Sequence, residues 1–235
     1  MDGGVMSEAE EREARRQQER KEWDELIRRG IRHPQPVPTH LLTAEELKVR
    51  QEEWAEQTRK QNVDRVRAVL PKRLQNATIE NPLPAGNLYI HGRPGAGKTW
   101  AVAATLLANA ADSPQTVLWA NTPALLAQIK ATFDKDADSF PTFHDLLENV
   151  DVLVLDDIGA ERPTSWATET LFLLVNTAYE SMIRTIVTSN HNRETLVQML
   201  GERLVSRLLE DARVVHFTGP DRRLDSLRES VIRHE

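Results

Sequence analysis

Residues 92–99 read Gly92-Arg93-Pro94-Gly95-Ala96-Gly97-Lys98-Thr99, and this segment sets the fold class. It matches the P-loop motif G-x-x-x-x-G-K-[ST], and residues 92–99 are called the P-loop below. In this motif, glycines turn backbone N–H groups toward a phosphate, and the next helix adds its positive end. An apolar stretch at residues 87–91 precedes it and helix-forming residues follow, which is the context that the motif requires. We therefore predict that residues 92–99, together with Trp100, bind ATP. Lys98 is expected to reach the β- and γ-phosphates.

A second segment, Asp151-Val152-Leu153-Val154-Leu155-Asp156-Asp157, is an apolar strand that ends in two carboxylates. In P-loop ATPases such carboxylates hold Mg²⁺ and the attacking water. We expect Asp156 and the hydroxyl of Thr99 to bind Mg²⁺, and Asp157 to orient or deprotonate the water. The alternative is a buried strand that runs into an acidic loop. The position of the strand after the P-loop favours the catalytic interpretation.

Another apolar strand ends at Thr188-Ser189-Asn190. In a parallel sheet this strand can lie between the other two, so that its polar end faces the γ-phosphate. We predict that Asn190 senses the γ-phosphate and positions water. A simple turn at the end of the strand is the alternative, because serine and asparagine favour turns.

Two arginines stand four residues apart in Gly201-Glu202-Arg203-Leu204-Val205-Ser206-Arg207-Leu208, and therefore share one helix face. An arginine that reaches the γ-phosphate of a neighbouring subunit acts as an arginine finger. We predict this role for Arg207 or Arg203, with Arg207 slightly preferred. The alternative is surface ion pairing with Glu202, Glu210 or Asp211.

The composition excludes several functional classes. The 235 residues carry a formal net charge of −6 and no cysteine. The lack of cysteine excludes disulfides, thiolate zinc sites and cysteine nucleophiles, and is typical of a reducing cytoplasm. No overall basic excess marks a nucleic-acid binder, so contact with DNA would need a local basic patch. Because neither a secretion signal nor a membrane-spanning apolar run is visible, we expect a cytoplasmic protein with no membrane partner.

The chain is predicted to divide at residue 70 into a charged extension and a core. Residues 1–70 contain 29 charged side chains, whereas the much longer segment 71–235 contains 37. Residues 1–70 are expected to be helical, with a proline-containing linker at residues 31–42 and a capping box formed by Thr43 and Glu46. In residues 71–235, strands and helices alternate, which indicates an α/β fold with a parallel sheet covered on both faces.

Together, residues 72–223 resemble the helicase-loader branch of the AAA+ ATPases, which includes the bacterial replicative helicase loaders and the ATPase subunit of one transposase family. Besides the P-loop, the resemblance rests on Leu155–Glu161, Thr188–His191, Gly201–Leu208 and Gly219–Arg223. It implies a five-stranded sheet of order 5-1-4-3-2, and hydrolysis of ATP bound with Mg²⁺ between the subunits of a ring or spiral. It also implies that this homo-oligomer holds single-stranded DNA on its inner surface and a replicative helicase through residues 1–70.

Two features depart from that family pattern. The linker between the N-terminal region and the P-loop is short, and we expect little or none of the usual C-terminal helical lid, whose second sensor arginine Arg222 or Arg223 could partly replace. Asp157 stands where many related ATPases have glutamate, and its shorter side chain predicts slow basal turnover. The small chain also suits a phage-encoded loader that acts in the host cytoplasm.

Three other functions stay open. A transposition helper would share the ATPase core and differ in the partner of its N-terminal region. A P-loop small-molecule kinase is disfavoured by the paired carboxylates and the arginine pair, and it would need an acceptor pocket or lid. A nucleotide-gated adaptor with little hydrolysis is compatible with Asp157.

Overall fold

The computed structural model describes residues 8–28, 38–133, 142–160 and 164–221. The helices are α1 Glu8–Arg28, α2 Ala44–Val69, α3 Lys98–Ala110, α4 Thr122–Phe133, α5 Phe143–Leu147, α6 Ser165–Glu180, α7 Arg193–Leu200 and α8 Glu202–Leu209. The strands are β1 Leu88–Gly92, β2 Val117–Asn121, β3 Val152–Ile158, β4 Arg184–Ser189 and β5 Arg213–Phe217. Short 3₁₀ helices span Thr39–Leu41 and Lys72–Leu74. Arg222, Arg223 and most of the predicted linker lie outside the described residues.

The chain divides into two compact units, Met1–Thr58 and Arg59–Glu235. This division precedes the predicted boundary at residue 70. The difference arises because Val66 of α2 and Leu70, which directly follows α2, are buried in the apolar core of the second unit. Their burial removes apolar surface from water, which stabilises the second unit by about 1.5 to 3 kcal/mol for each fully buried side chain.

In the first unit, an ion pair and a helix cap connect the described elements. Arg20 on α1 donates to both carboxylate oxygens of Glu46, at 2.6 and 2.9 Å. The backbone N–H of Thr43 also donates to Glu46, and the backbone N–H of Glu46 donates to the Thr43 hydroxyl. The predicted capping box is therefore confirmed. The Arg20 guanidinium, followed by the Thr43 hydrogen bonds, lowers the pKa of Glu46 to about 2.

The second unit contains one parallel sheet with the strand order β2-β3-β4-β1-β5. The predicted order 5-1-4-3-2 is the same order counted from the opposite edge, and it is confirmed. On β1, Ile90 lies opposite Thr188 of β4 and Val215 of β5. Because β1 and β3 both neighbour β4, the carboxyl ends of all three strands meet at one edge of the sheet.

Helices cover both faces of this sheet, as the apolar pattern of β3 predicts. Leu153 and Leu155 belong to one apolar cluster, whereas Val152 and Val154 belong to the other. Residues of α4 to α8 contribute to the first cluster, and α3 with the end of α2 contributes to the second. Across the described residues, no helix combines the length and apolar character needed to cross a membrane.

Candidate nucleotide-binding site

The P-loop connects β1 to α3 and holds its lysine in a fixed position. Lys98 is only 5% exposed. Its ammonium group donates to the carbonyls of Gly92 (2.8 Å) and Arg93 (3.0 Å) and to Oδ1 of Asn190 (2.8 Å). The structure therefore brings together Lys98 of the P-loop and Asn190, which directly follows β4 and is far from Lys98 in sequence.

The loop conformation depends on glycine at Gly95. This residue has a φ of +78°, and a Cβ atom there would lie 1.7 Å from Oδ1 of Asp221. Any other residue at this position would have a strained backbone conformation, and its Cβ atom would collide with the Asp221 carboxylate. Gly97, at a φ of +96°, caps the N-terminus of α3, whose positive end then faces the loop. Ala96 is buried and its N–H donates to the carbonyl of Arg93.

A cavity of about 450 Å³ opens at this edge of the sheet. Its size is that of pockets which bind small molecules. Among the predicted site residues, its wall contains Pro94, Gly95, Gly97, Lys98, Thr99, Trp100, Asp157 and Asn190. Three separate motifs of the sequence thus meet in one cavity.

Asp156, at the end of β3, is 4% exposed and bonds to two hydroxyl groups. Its Oδ1 accepts from Thr99 at 2.8 Å and from Thr188 at 2.7 Å. Burial raises the pKa of Asp156, although the Thr188 and Thr99 hydrogen bonds oppose this effect. A bound cation would relieve the cost of this buried charge. Oxygen ligands of this kind fit Mg²⁺, which Thr99 and Asp156 are placed to hold.

Asp157 follows in an uncommon backbone conformation. Its φ is +62°, and the pairing of β3 with β4 shifts register between Leu155 and Ile158. The backbone N–H of Asp157 donates to the Thr188 hydroxyl at 2.9 Å, and the Asn190 amide donates to Oδ1 of Asp157 at 3.4 Å. A non-glycine residue held in such a conformation stores strain of roughly 1 to 3 kcal/mol, and strain of this kind concentrates at functional sites.

The two arginines on α8 lie over aromatic rings of α6. The guanidinium of Arg203 is 3.9 Å from the ring centroid of Phe172, and that of Arg207 is 4.1 Å from the ring centroid of Tyr179. Arg207 also pairs with Glu210 at 2.8 Å. Neither arginine lines the cavity of its own chain. The surface ion pair and a contact with a second subunit are both compatible with this position.

The sequence model for the IstB-like ATP binding proteins matches residues 41–230. The chain belongs to this family. The matched residues include the P-loop, both carboxylates of β3 and both arginines of α8, so this IstB-like chain contains the whole cavity described above. Binding of ATP is therefore the function of the site in the family.

Two curated relatives of this IstB-like protein are from Escherichia coli strain K12. The uncharacterized protein YdaV is 32% identical over 146 residues, which are 61% of this chain and 58% of YdaV. The replicative helicase loader DnaC is 28% identical over 117 residues, which are 50% of this chain and 47% of DnaC. The chain thus spans about half the length of the curated relatives that it matches.

Solved structures share the fold of the IstB-like core. The crystal structure of the DnaC helicase loader is 26% identical, has a TM-score of 0.55, and covers 63% of this chain and 100% of its own. The crystal structure of DnaI is 22% identical, has a TM-score of 0.54, and covers 67% of this chain and 99% of its own. The IstB-like chain accordingly has the P-loop ATPase fold that these two structures share.

Sequence reasoning missed residues that the IstB-like fold adds to the cavity. Arg73 and Leu74, from the 3₁₀ helix Lys72–Leu74, line it, and the indole N–H of Trp100 donates to the carbonyl of Thr78 at 3.1 Å. The hydroxyl of Thr188 connects Asp156 to the backbone of Asp157 and was assigned no role from the sequence. Only the position of Arg73 and Leu74 at the start of the core segment, shortly after α2, could have indicated this pair.

Proposed function

We propose that this chain is an ATP-dependent loader of a replicative DNA helicase. The observation that carries the proposal is the connected set Lys98, Asn190, Asp157, Thr188 and Asp156, joined by hydrogen bonds around one cavity. A site that only bound nucleotide would need the lysine and the loop. The addition of a carboxylate and an amide that contact each other supports hydrolysis.

The residues have distinct roles in this proposal. Lys98 exchanges its bonds to two loop carbonyls for phosphate oxygens, and the P-loop amides bind the β-phosphate. Asn190 and Asp157 hold the attacking water, and Asp157 accepts its proton as the bond to the γ-phosphorus forms and the β–γ bridging bond breaks. Thr99 and Asp156 would hold Mg²⁺, which would supply positive charge beside the phosphates. Trp100, which is 39% exposed, offers apolar surface to the rest of the nucleotide.

The arginines Arg203 and Arg207 are proposed to act on the ATP of a neighbouring copy. Their position on α8, away from the cavity of their own chain, supports a role in trans. The active form would then be a ring or spiral of this chain that assembles with ATP. Single-stranded DNA would lie along its inner surface, in the cytoplasm.

Residues 1–70 are proposed to hold the helicase. Two large apolar side chains of α2 support a partner surface there, because Trp54 is 69% exposed and Val49 is 49% exposed. The similarity to the replicative helicase loader DnaC supports the identity of the partner. A transposition helper is the second candidate, since the matching family is named for IstB and the ATPase core is common to both functions.

Hydrolysis measurements test the enzymatic part. Asp157→Asn should keep ATP binding and lower turnover by at least about 100-fold, the usual range for a lost catalytic base. Lys98→Ala should abolish binding, and Arg207→Ala should lower hydrolysis only in the assembly. An equal mixture of Lys98→Ala and Arg207→Ala chains should recover part of the activity. Turnover by Asp157→Asn at the wild-type rate would remove that residue from catalysis.

Co-elution of the full chain with the purified replicative helicase of its source organism tests the partner. Wild type should co-elute with the helicase, and Trp54→Ser should not. Leu173→Ser is a matched control, because Leu173 is also an exposed apolar residue, at 51%, but lies on α6 of the core. Co-elution with a transposase and not with the helicase would establish the second candidate.

A further inference from the structure

The cavity contains a cation that the proposed mechanism does not use. Arg73 lies in the 3₁₀ helix that follows α2, and it lines the same cavity as Lys98, Asp157 and Asn190. Its neighbour Leu74 is 4% exposed and fixes this turn in the apolar core. The turn therefore holds the base of the Arg73 side chain firmly while leaving the side chain exposed.

Within the described part of the chain, Arg73 has neither a hydrogen-bond acceptor nor an ion-pair partner. Two other arginines of the same unit do have acceptors: Arg67 donates to Asp64 and to the carbonyl of Gln75, and Arg184 donates to the carbonyl of Gly86. A guanidinium with all its donors open, in the wall of an anion-binding cavity, is suited to phosphate oxygens.

We propose that Arg73 binds the polyphosphate of ATP within its own subunit. This inference rests on the proposed ATP site. Under this proposal, Arg73 is a cation at the N-terminal side of the core that contacts the phosphates. Trp100 remains as the apolar surface for the nucleoside.

The test compares Arg73→Gln with Lys72→Gln in the full chain. Lys72 is exposed on the same turn and carries the same charge, but it does not line the cavity. Binding of ATP and of inorganic tripolyphosphate would be measured by titration calorimetry in Mg²⁺. Arg73→Gln should weaken both ligands about tenfold, which corresponds to one lost charge-assisted contact of roughly 1.4 kcal/mol. Lys72→Gln should stay within about twofold of wild type, because an exposed charge is screened by solvent.

Each other outcome overturns the inference. Weaker binding of ATP with unchanged binding of tripolyphosphate would show that Arg73 contacts the nucleoside part of ATP and not its phosphates. Equal losses of affinity in Arg73→Gln and Lys72→Gln would show that the effect depends only on the net charge of the region. If wild type binds ATP and Arg73→Gln binds it equally well, the assignment of Arg73 fails alone. If wild type binds no ATP, the proposed function fails with it. Melting temperatures of both variants show whether each is folded.

Discussion

Replacing Thr188 by valine should separate the contribution of its hydroxyl group from the contribution of its side-chain volume. Thr188 is fully buried, and its hydroxyl donates to Asp156 at 2.7 Å and accepts from the backbone of Asp157 at 2.9 Å. Valine keeps the volume and removes both bonds. Thr122, at the start of α4, is also fully buried, but within the described residues its hydroxyl has no partner. Thr122→Val is therefore a matched control.

The magnitude follows from the two bonds. A hydrogen bond to a charged group contributes about 1.5 to 3 kcal/mol, and one to a backbone N–H about 0.5 to 1.5 kcal/mol. Thr188→Val should therefore lower the free energy of unfolding by about 2 to 4 kcal/mol, with Thr99 left as a donor to Asp156. Thr122→Val should be neutral or stabilising by up to about 1 kcal/mol, since it removes a buried hydroxyl that is unsatisfied.

Urea unfolding, followed by tryptophan fluorescence, measures both changes. ATP turnover of Thr188→Val should fall more than ATP affinity, because Asp157 loses the bond that fixes its backbone while the P-loop is intact. Equal stability of Thr188→Val and Thr122→Val would refute the reasoning. It would show that the contacts around Asp156 do not hold this edge of the sheet.

Three further predictions concern the same region. Gly95→Ala should lose ATP binding because its Cβ would displace Asp221, whereas Gly86→Ala, with a φ of +89° and open space, should only lower the melting temperature; equal ATP affinity in both would contradict this. Because burial raises the pKa of Asp156, its ionised form costs folding free energy above the folded pKa, and this cost disappears as the pH falls through it. Asp156→Asn should therefore raise the melting temperature at neutral pH while abolishing stabilisation by ATP and Mg²⁺; a lower melting temperature would argue against a charged, buried carboxylate. Burial lowers the pKa of His91, so its contribution to stability is full above the ordinary value of 6.5 and is lost as the pH falls through the folded pKa. His91→Gln should flatten the acid limb of the melting-temperature profile, and an unchanged limb would exclude His91 as its source.

The sequence predicts the sheet and the P-loop because both have strong local signals. The motif at residues 92–99 requires a strand before it and a helix after it, and the apolar run before Asp156 can only be a strand buried on both faces. The strand order followed from resemblance to a known family. The meeting of Lys98 and Asn190 then follows from the order of the strands.

The rest depends on tertiary contacts without a local pattern. Arg73 enters the cavity because Leu74 is buried, and no spacing rule connects either residue to the P-loop. The positive φ of Asp157 accompanies a register shift between β3 and β4, which pairing alone determines. The stacking of Arg207 on Tyr179 likewise joins two helices whose contact cannot be read from either segment.

The proposal of a helicase loader is tested most directly by loading itself. The purified replicative helicase of the source organism would be mixed with a single-stranded DNA circle, which offers no free end, and the amount bound to the circle would be measured. The full chain with ATP should increase that amount, and Lys98→Ala should not. No increase with wild type, or an equal increase with Lys98→Ala, would contradict ATP-dependent loading by this protein.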